Sequence, residues 1–464
     1  MKPSLCRLSS VALGLCASLI VNVCAHARDG ALDTQFITTG HRQLYYGLWY
    51  VYPGFGAGAG IQSTGRLVFA HSVQTSNKNW DFAVTPLNPD GTTTDDFGNT
   101  FYGSSEFVAF DRGGSLADYA TDLVVLPDDS IVVVGHVAGE SGTGYDFGVL
   151  KLSANGAPDS TFGNAGKAIV PFNLDLTYND DFATSISRQT DGNILIAGNA
   201  ATGQYANAMA IARITANGQR DNTFNGDGRI TIGFGGELAG AERARELADH
   251  QHILVVGFAN TATGAKTLFA MARLKVSDGS LDATFGSGGK ATFDFPFAVG
   301  SSAAFDFSEL PDGRVLVCGN VTVNLPINED TACMRFLANG APDPSYTPYD
   351  IPFDLGGSFD DGSVRMQRDA QGRFLLAGYA SSSFDGSRQC TVVRLTAAGT
   401  LDPTFGNGGR LTPSSALNND CNAIVLQPDG KIVVAGDVAI DATPNFDVQV
   451  IRLIGDTIFA DAFE

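Results

Sequence analysis

One repeat of this chain is divided between its two ends. The string LDATFG, which ends at Gly286, has relatives along the whole sequence, and the relative that the last unit lacks, ALDTQF, lies at residues 31–36. The last unit itself stops after Leu453. Because a linear array of repeats is left with two unpartnered ends, a chain that shares one repeat between its termini is most simply explained as a closed ring.

Seven aromatic residues anchor the repeats at a nearly constant spacing. Successive anchors are separated by 61, 65, 62, 61, 61 and 59 residues. The anchors are Phe36, Phe97, Phe162, Phe224, Phe285, Tyr346 and Phe405. A fixed period is typical of solenoids, propellers and arrays, and roughly 60 residues per unit fits four strands with generous loops.

A second feature repeats in step with the first. A tight polar turn, such as the Pro-Asp-Gly of 311–313, leads into a short apolar run that closes on glycine. These glycines are Gly135, Gly198, Gly257, Gly319, Gly378 and Gly436, and the first unit has His71 in the same place. Two further apolar segments follow in each unit. The pattern predicts a four-stranded antiparallel meander, strands A to D, in which Pro, Asp and Gly suit the A–B turn.

The sequence therefore predicts an all-β chain that folds as a seven-bladed β-propeller of four-stranded antiparallel blades. Radial packing buries the faces of such sheets and protects their edges. The single predicted domain covers 28–464, with blades at about 59–107, 118–174, 181–233, 242–295, 303–353, 362–411 and 420–454, the last completed by 30–46 as its outer strand. The alternative is an open solenoid with degenerate caps, in which loss of the N-terminal segment would leave melting almost unchanged.

Residues 1–27 have the features of a cleaved secretory signal. Lys2 and Arg7 form the positive end, an apolar core runs from Val11 to Val23, and Ala25-His26-Ala27 is a small-x-small cleavage site. The core is too short to span a membrane. We therefore expect an exported chain without a transmembrane segment, which is secreted, periplasmic or located at the cell surface.

The acidic composition of the chain limits its partners. The formal net charge is −20, and removal of the two basic residues of the signal makes it −22. Nucleic-acid binding needs a basic surface, so the charge argues against nucleic acid. We expect a monomer that contacts a protein or a glycan at the cell surface.

Four of the seven cysteines lie beyond the predicted signal. An even number of cysteines in an exported chain indicates disulfides. Cys318 ends one strand of the fifth unit and Cys333 lies in the next strand, whereas Cys390 and Cys421 lie in facing strands of the sixth and seventh units. We therefore predict that Cys318 pairs with Cys333 and Cys390 with Cys421.

The repeated strings resemble a known family. The pattern LDxTFGxxG, followed by PDGKIVVAG and by a strand that ends in Arg-Leu before a turn, resembles the delta-60 repeat of secreted and surface bacterial proteins. The resemblance covers nearly the whole mature chain and recurs about seven times. It implies a β-propeller, but the family supplies no established activity and no catalytic residues.

Two charged residues repeat with the anchors. Six aspartates lie three residues before an anchoring aromatic: Asp33, Asp159, Asp221, Asp282, Asp343 and Asp402. Five arginines share one position in strand C, where the first two units have Pro86 and Lys151: Arg213, Arg273, Arg335, Arg394 and Arg452. Such repetition indicates a structural role, in which the carboxylate caps a turn and pairs with the arginine. A repeated calcium site is the alternative, although no D-x-D-x-D spacing is present.

Function is expected where the units differ from one another. The loops before strand A and between strands B and C emerge on one rim and vary, whereas the A–B turns and C–D connections on the other rim are nearly fixed. A rigid scaffold with variable loops is typical of binding proteins. On the variable rim, Tyr46, Trp49, Tyr50 and Tyr52 are predicted to stack on sugar rings or peptide side chains. The alternative is an outer strand that packs against the neighbouring blade.

Two histidines on the same rim are candidate metal ligands. His71 and His136 follow strand B in adjacent blades, and two imidazoles near carboxylates can bind a metal. The alternative is that both are solvated loop residues.

Enzyme signatures are absent from the sequence. No GxSxG, HExxH or P-loop motif is present, and no catalytic residue is predicted. The predicted function is therefore a non-catalytic binding or interaction propeller without a cofactor, apart from the calcium alternative. A second possibility is a propeller-based hydrolase or lactonase-type enzyme with a site at the channel mouth.

Overall fold

The computed structural model describes most of the chain beyond residue 28. It covers residues 29–44, 58–76, 79–94, 97, 108–110, 117–139, 144–175, 177–261, 263–324, 328–353, 355, 360–381, 387–413, 418–439 and 446–455. In this part of the chain, seven four-stranded antiparallel sheets are present, which confirms the predicted seven-bladed propeller. The same residues contain no helix that is long and apolar enough to cross a membrane.

The strands follow the chain blade by blade. The first described strand, β1, spans His41–Leu44. Blade 1 comprises β2 (Gly58–Ile61), β3 (Leu67–Ser76), β4 (Asn79–Leu87) and β5 (Val108–Phe110). Blade 2 comprises β6 (Asp118–Val125), β7 (Ile131–Ala138), β8 (Tyr145–Leu152) and β9 (Lys167–Val170). Blade 3 comprises β10 (Asp181–Arg188), β11 (Ile194–Gly203), β12 (Ala206–Ile214) and β13 (Arg229–Ile232).

The remaining blades have the same order of strands A to D. Blade 4 comprises β14 (Ala239–Glu246), β15 (His252–Asn260), β16 (Thr267–Lys275) and β17 (Lys290–Phe293). Blade 5 comprises β18 (Ser302–Glu309), β19 (Val315–Asn324), β20 (Asn328–Phe336) and β21 (Tyr349–Ile351). Blade 6 comprises β22 (Asp361–Arg368), β23 (Phe374–Ser381), β24 (Arg388–Leu395) and β25 (Arg410–Leu411). Blade 7 comprises β26 (Ala423–Leu426), β27 (Ile432–Ala439), β28 (Phe446–Leu453) and β1.

The N-terminal segment closes the ring as predicted. Strand β1 pairs with β28 in antiparallel register from His41 opposite Ile451 to Leu44 opposite Val448. Upstream, the Gly30 amide donates to the Ile454 carbonyl at 2.8 Å. On the inner side of the ring each strand A contacts the strands A of both adjacent blades, including β26 with β2. The two ends of the chain therefore form one blade between blades 6 and 1.

Blade 1 ends later than the predicted boundary at residue 107. Its outer strand is β5, Val108–Phe110. Ten residues separate the Phe97 anchor from this strand, whereas four separate Phe162 from Lys167 in blade 2. The longer connection moves the outer strand beyond the position that the repeat length predicts.

Each anchoring aromatic packs against the next blade. At the C–D turn of that blade a glycine with positive φ leaves room for the ring, and a Cβ there would lie 2.5–3.1 Å from it. The seven contacts are Phe36 with Gly91, Phe97 with Gly156, Phe162 with Gly218, Phe224 with Gly279, Phe285 with Gly340, Tyr346 with Gly399, and Phe405 with Gly30. Because the last contact reaches the N-terminal segment, the anchors run unbroken around the ring.

The repeated aspartates and arginines support these anchors. Arginine Nε lies 2.7–2.8 Å from aspartate Oδ2 in five blades. In blade 2, Lys151 lies 3.0 Å from Asp159. The other carboxylate oxygen accepts an amide from two residues further along at 2.9–3.0 Å. Each of the five guanidinium groups also lies 4.7–5.1 Å from the ring of its own anchor. The geometry supports the structural interpretation of the pair over a repeated calcium site.

Both predicted disulfides are present. Cys318 and Cys333 are direct cross-strand partners in β19 and β20 and are joined within blade 5. Cys390 of β24 is joined to Cys421, which precedes β26, so this bridge links blade 6 to blade 7. Disulfides are characteristic of proteins outside the cytoplasm, which agrees with an extracytoplasmic location.

Candidate functional site

The glycines that end the apolar run of strand B shape the central channel. A Cβ added at any of the six would lie only 1.8–2.0 Å from a carbonyl oxygen of strand A or, in blade 7, of Asp420 just before strand A. Opposite this glycine, strand A carries one extra residue in blades 2 to 6. The extra residues are Thr121, Thr184, Glu242, Phe305 and Val364. Because a β-bulge re-aims side chains, these residues line the channel instead of the space between blades.

Two cavities follow each other along the channel. The upper chamber, of about 460 Å³, lies on the side of the variable loops and is lined by Thr121, His136, Phe182, Ala183, Thr184, Asn199, Glu242, Phe305, Val364, Arg365 and Asn422. The lower chamber, of about 390 Å³, lies towards the A–B turns and is lined by residues of strand A from all seven blades. Its charged residues are Asp122, Arg188, Arg243, Arg245, Asp306 and Arg365. Arg365 lines both chambers.

The upper chamber has an aromatic wall. His136 packs with its ring centroid 5.0 Å from Phe182, edge to face, and 5.2 Å from both Tyr119 and Tyr145. Burial lowers the pKa of His136 to about 4, so its imidazole is neutral at pH 7. His136 therefore contributes a flat aromatic surface to the chamber and carries no charge there at neutral pH.

Glu242 is the carboxyl group that lines the upper chamber. Burial raises its pKa to about 7, although Arg365 and Arg243 act in the opposite direction. The side chain therefore exists in both protonation states near neutral pH and can either donate or accept a hydrogen bond.

An ion network lies in the lower chamber. Arg243 pairs with Asp122 through Nη1, and its Nε lies 3.7 Å from Asp306. Arg245 Nη2 lies 2.8 Å from the same Asp306 oxygen, and the Met366 amide donates to the other oxygen at 2.9 Å. Burial opposes ionisation of Asp306, but the two arginines hold its pKa below the usual value. Strands A of blades 2, 4, 5 and 6 are thus joined across the axis.

Replacement of Glu242 should change how stability depends on pH. Because the folded-state pKa is raised from 4.5 to about 7, the folded protein binds more protons than the unfolded chain between these values, and stability falls as pH rises through this range. At pH 8, Glu242→Gln should therefore raise the free energy of unfolding by up to about 3 kcal/mol, with little change at pH 4. Guanidinium unfolding at pH 4, 6 and 8 measures this difference.

Glu237 provides the matched control for this variant. It lies five residues before Glu242, just ahead of strand β14, and is exposed. Glu237→Gln should leave the pH dependence of the wild type unchanged. If Glu242→Gln and Glu237→Gln follow the same curve, the assigned environment of Glu242 is wrong.

The structure separates the two predicted histidines. His71 is buried, its Nε2 lies 3.0 Å from Thr85 Oγ1, and burial lowers its pKa to about 3. Only His136 lines the upper chamber. Among the described residues, no group of three or more His, Cys, Asp or Glu side chains is placed to hold a metal ion. A metal at these histidines remains a prediction without structural support.

The predicted aromatic ligand-binding residues lie outside the described part of the chain. These are Tyr46, Trp49, Tyr50 and Tyr52. Their role on the variable rim remains a prediction.

The channel residues were not predicted from the sequence. Asp122, Arg243, Asp306 and Arg365 occupy the same place in strand A, directly after the bulge. Aligning the repeats and searching strand A for charged residues would have identified them. Arg243 and Arg245 lie in the stretch 240–250, which is rich in residues that favour a helix. In the structure, the first part of this stretch belongs to strand β14.

Six segments of the chain match one family model. The family is described as "Domain of unknown function (DUF5122) beta-propeller", and the matched residues are 126–162, 189–224, 252–285, 310–346, 372–405 and 427–453. Each segment begins at or near an A–B turn of blades 2 to 7, and the first five end at an anchoring aromatic. No curated protein matches the chain.

Several solved structures are similar over most of their length. A protein of unknown function from Dyadobacter fermentans DSM 18053 is 12% identical with a TM-score of 0.39, covering 89% of this chain and 99% of its own. The beta-propeller domain of the Trilobed protease from Pyrococcus furiosus is 9% identical with a TM-score of 0.42, covering 86% and 96%. The alpha-l-arabinofuranosidase arb93a from Fusarium graminearum is 8% identical with a TM-score of 0.40, covering 89% and 98%. At TM-scores below 0.5, none of these similarities bears on function.

Proposed function

We propose that this chain, whose repeats belong to the DUF5122 beta-propeller family, is an exported binding propeller that holds the terminal sugar of a surface glycan in its upper chamber. The narrower assignment to the delta-60 repeat, and the choice among secreted, periplasmic and surface locations, belong to the same proposal. The observation that carries it is the composition of the upper chamber, where aromatic and polar side chains meet on the side of the variable loops.

The chamber has the size and chemistry of a small-ligand site. Its volume of about 460 Å³ lies within the usual range of roughly 300–1,000 Å³. Phe182 and Phe305 supply apolar surface, against which the CH face of a pyranose ring can stack. Asn199, Glu242 and Arg365 supply donors and acceptors for hydroxyl groups.

The position of the chamber favours an extended ligand. The loops that surround it vary between blades in length and sequence, whereas those on the other rim are nearly fixed. A rigid scaffold that presents variable loops around a pocket can recognise the residues next to the bound sugar. The sequence also predicts Tyr46, Trp49, Tyr50 and Tyr52 on this rim, where they would extend the same surface.

A glycan array probed with the purified mature chain tests this proposal. Phe305→Ala removes an aromatic wall of the chamber and should weaken binding to the strongest glycan at least tenfold, because stacking and buried area are lost together. Tyr205→Ala is the matched control, since Tyr205 lies on the same rim with 81% of its surface exposed. Tyr205→Ala should bind like the wild type. Absence of glycan binding, or equal binding by Phe305→Ala and the wild type, would contradict the proposal.

A hydrolase is the second candidate, and the pKa of Glu242 favours it. A carboxyl group with a pKa of about 7 is suited to general acid or base catalysis near neutral pH. Glu242→Gln should then abolish cleavage of a bound glycoside or lactone while retaining its binding. In the non-catalytic case, the wild type releases no product from any glycan that it binds.

A further inference from the structure

We infer that the lower chamber is a second binding site, which holds a small oxyanion such as a carboxylate, phosphate or sulfate. It shares Arg365 with the sugar site proposed for the upper chamber, but its other lining residues are different, and the inference does not depend on that proposal. The inference rests on the charge of the chamber, on the unused donors of its arginines and on its size.

The lower chamber is positively charged in a strongly acidic protein. Its lining includes four arginines and two aspartates, which leaves an excess of two positive charges. The whole chain has a net charge of −20. The outer surface of the protein therefore repels an anion, whereas the lower chamber attracts it. Only a ligand small enough to enter the channel can reach the chamber.

The buried arginines retain donors that the protein does not use. Arg243 is 3% exposed, and its Nη2 atom has no hydrogen-bond partner among the described residues. Within the described residues, Arg365 donates only to two backbone carbonyls, those of Val364 at 3.0 Å and Thr121 at 3.3 Å. No carboxylate in the described part of the chain forms an ion pair with Arg365. Arg243 already has Asp122 and Asp306 as counter-ions, whereas the half-buried Arg365 has none at ion-pair distance in the described residues. Because a desolvated charge without a counter-ion is costly, Arg365 and the unpaired Nη2 of Arg243 favour an anionic ligand between them.

The remaining lining fits an oxyanion. Guanidinium groups bind the paired oxygens of carboxylate, phosphate or sulfate through two parallel hydrogen bonds. Gln367 supplies a neutral donor in the same chamber, and Arg188 adds a further cation. A volume of about 390 Å³ admits a small polyvalent anion but not a folded chain or a polymer.

Isothermal titration of the mature protein with inorganic phosphate, sulfate and succinate tests the inference. Sodium chloride at matched ionic strength serves as the reference, so that general screening is subtracted. We expect saturable one-site binding of at least one of these anions, and the order of the three affinities identifies whether phosphate, sulfate or carboxylate is preferred. The same anion should raise the melting temperature of the protein in proportion to its occupancy.

Variants locate the bound anion. Arg365→Gln should weaken binding at least tenfold, and so should Arg188→Gln, which is exposed and expected to fold normally. Arg220→Gln, a surface arginine outside the channel with 43% side-chain exposure, should bind like the wild type. Phe305→Ala should also leave anion binding unchanged, because it alters only the upper chamber.

The inference is overturned by any of three results. These are no saturable binding of phosphate, sulfate or succinate, equal binding by Arg188→Gln and Arg220→Gln, or loss of anion binding in Phe305→Ala. A failed glycan experiment would not bear on it, because the anion site is tested with small anions and with Arg365→Gln and Arg188→Gln, whereas Phe305→Ala disrupts only the sugar site and serves here as a control.

Discussion

Removal of residues 29–44 should abolish the single cooperative unfolding transition of the propeller. This segment supplies strand β1, the buried Phe36 anchor and Asp33, whose carboxylate lies 2.8 Å from Arg452. Without it, β28 becomes an unpaired edge, and blades 6 and 1 lose their contacts with the missing strand. We expect a loss comparable to the whole stability of a typical domain, about 5–15 kcal/mol. Differential scanning calorimetry of two chains, one that begins at residue 28 and one that lacks residues 29–44, measures it.

A peptide of residues 29–44 added in trans provides the control. Because strand pairing and anchor packing hold the segment against blade 7, the peptide should restore part of the transition in a concentration-dependent way. The same peptide with Phe36→Ala should not, since Phe36 fills the contact with Gly91. An unchanged transition in the shortened chain would favour the open solenoid.

Replacement of Gly198 by alanine should destabilise the protein severely. A Cβ at this position of β11 would lie 2.0 Å from the Phe182 carbonyl oxygen and 2.9 Å from the Ala183 Cα atom. The bulged strand A of blade 3 would have to move away from strand B, and with it the wall of the upper chamber. We expect a loss of at least about 3 kcal/mol, at the upper end of the range for overpacked cores. Guanidinium unfolding followed by tryptophan fluorescence measures it.

Gly203 is the matched control in the same strand. A Cβ there would meet only the Ala206 Cβ, at 3.9 Å, which is an ordinary contact. Gly203→Ala should therefore change the free energy of unfolding by less than about 1 kcal/mol. Equal effects of the two substitutions would show that the repeated glycine is not required by the close approach of strand A.

The fold was predictable because its determinants repeat. Spacing of the aromatic anchors gave the number of blades, and the divided repeat gave the closure through β1 and β28. Neighbouring strand positions gave both disulfides, including Cys390 with Cys421 between blades. Each of these features depends on local sequence and on the order of the units. The strand pattern recognised in one unit can therefore be applied to the other units.

The interior of the channel was not predictable in the same way. Asp122, Arg243, Asp306 and Arg365 come from four blades and meet only when the ring closes. Each looks like an isolated charged residue within its own strand, because none of them repeats. These four residues reach the channel because each follows a β-bulge opposite the repeated glycine or its neighbour in strand B. A bulge reverses which residues of a strand point inward, so the alternating pattern of the sequence does not predict their direction.

The two candidate histidines are neither solvated loop residues nor members of a metal cluster among the described residues, because both are buried. His71 ends the apolar run of strand B in blade 1, and His136 directly follows the glycine that ends it in blade 2. At both positions the sequence does not distinguish a loop from a packed strand. In the structure both are buried, and their lowered pKa values reflect that environment. His71 occupies the place of the repeated glycine in a blade whose described strand A begins only at Gly58, opposite Ala70.

The pairing of β1 with β28 tests the closed ring most directly, because the channel and both of its chambers exist only if the ends join. Gln43 and Gln449 are direct cross-strand partners. In a Gln43→Cys and Gln449→Cys double variant, mild oxidation of the native protein should produce an intramolecular disulfide, detected by non-reducing peptide mapping. Near-complete formation of this bridge is the predicted result. Free thiols, or bridges formed only between molecules, would contradict the closed propeller.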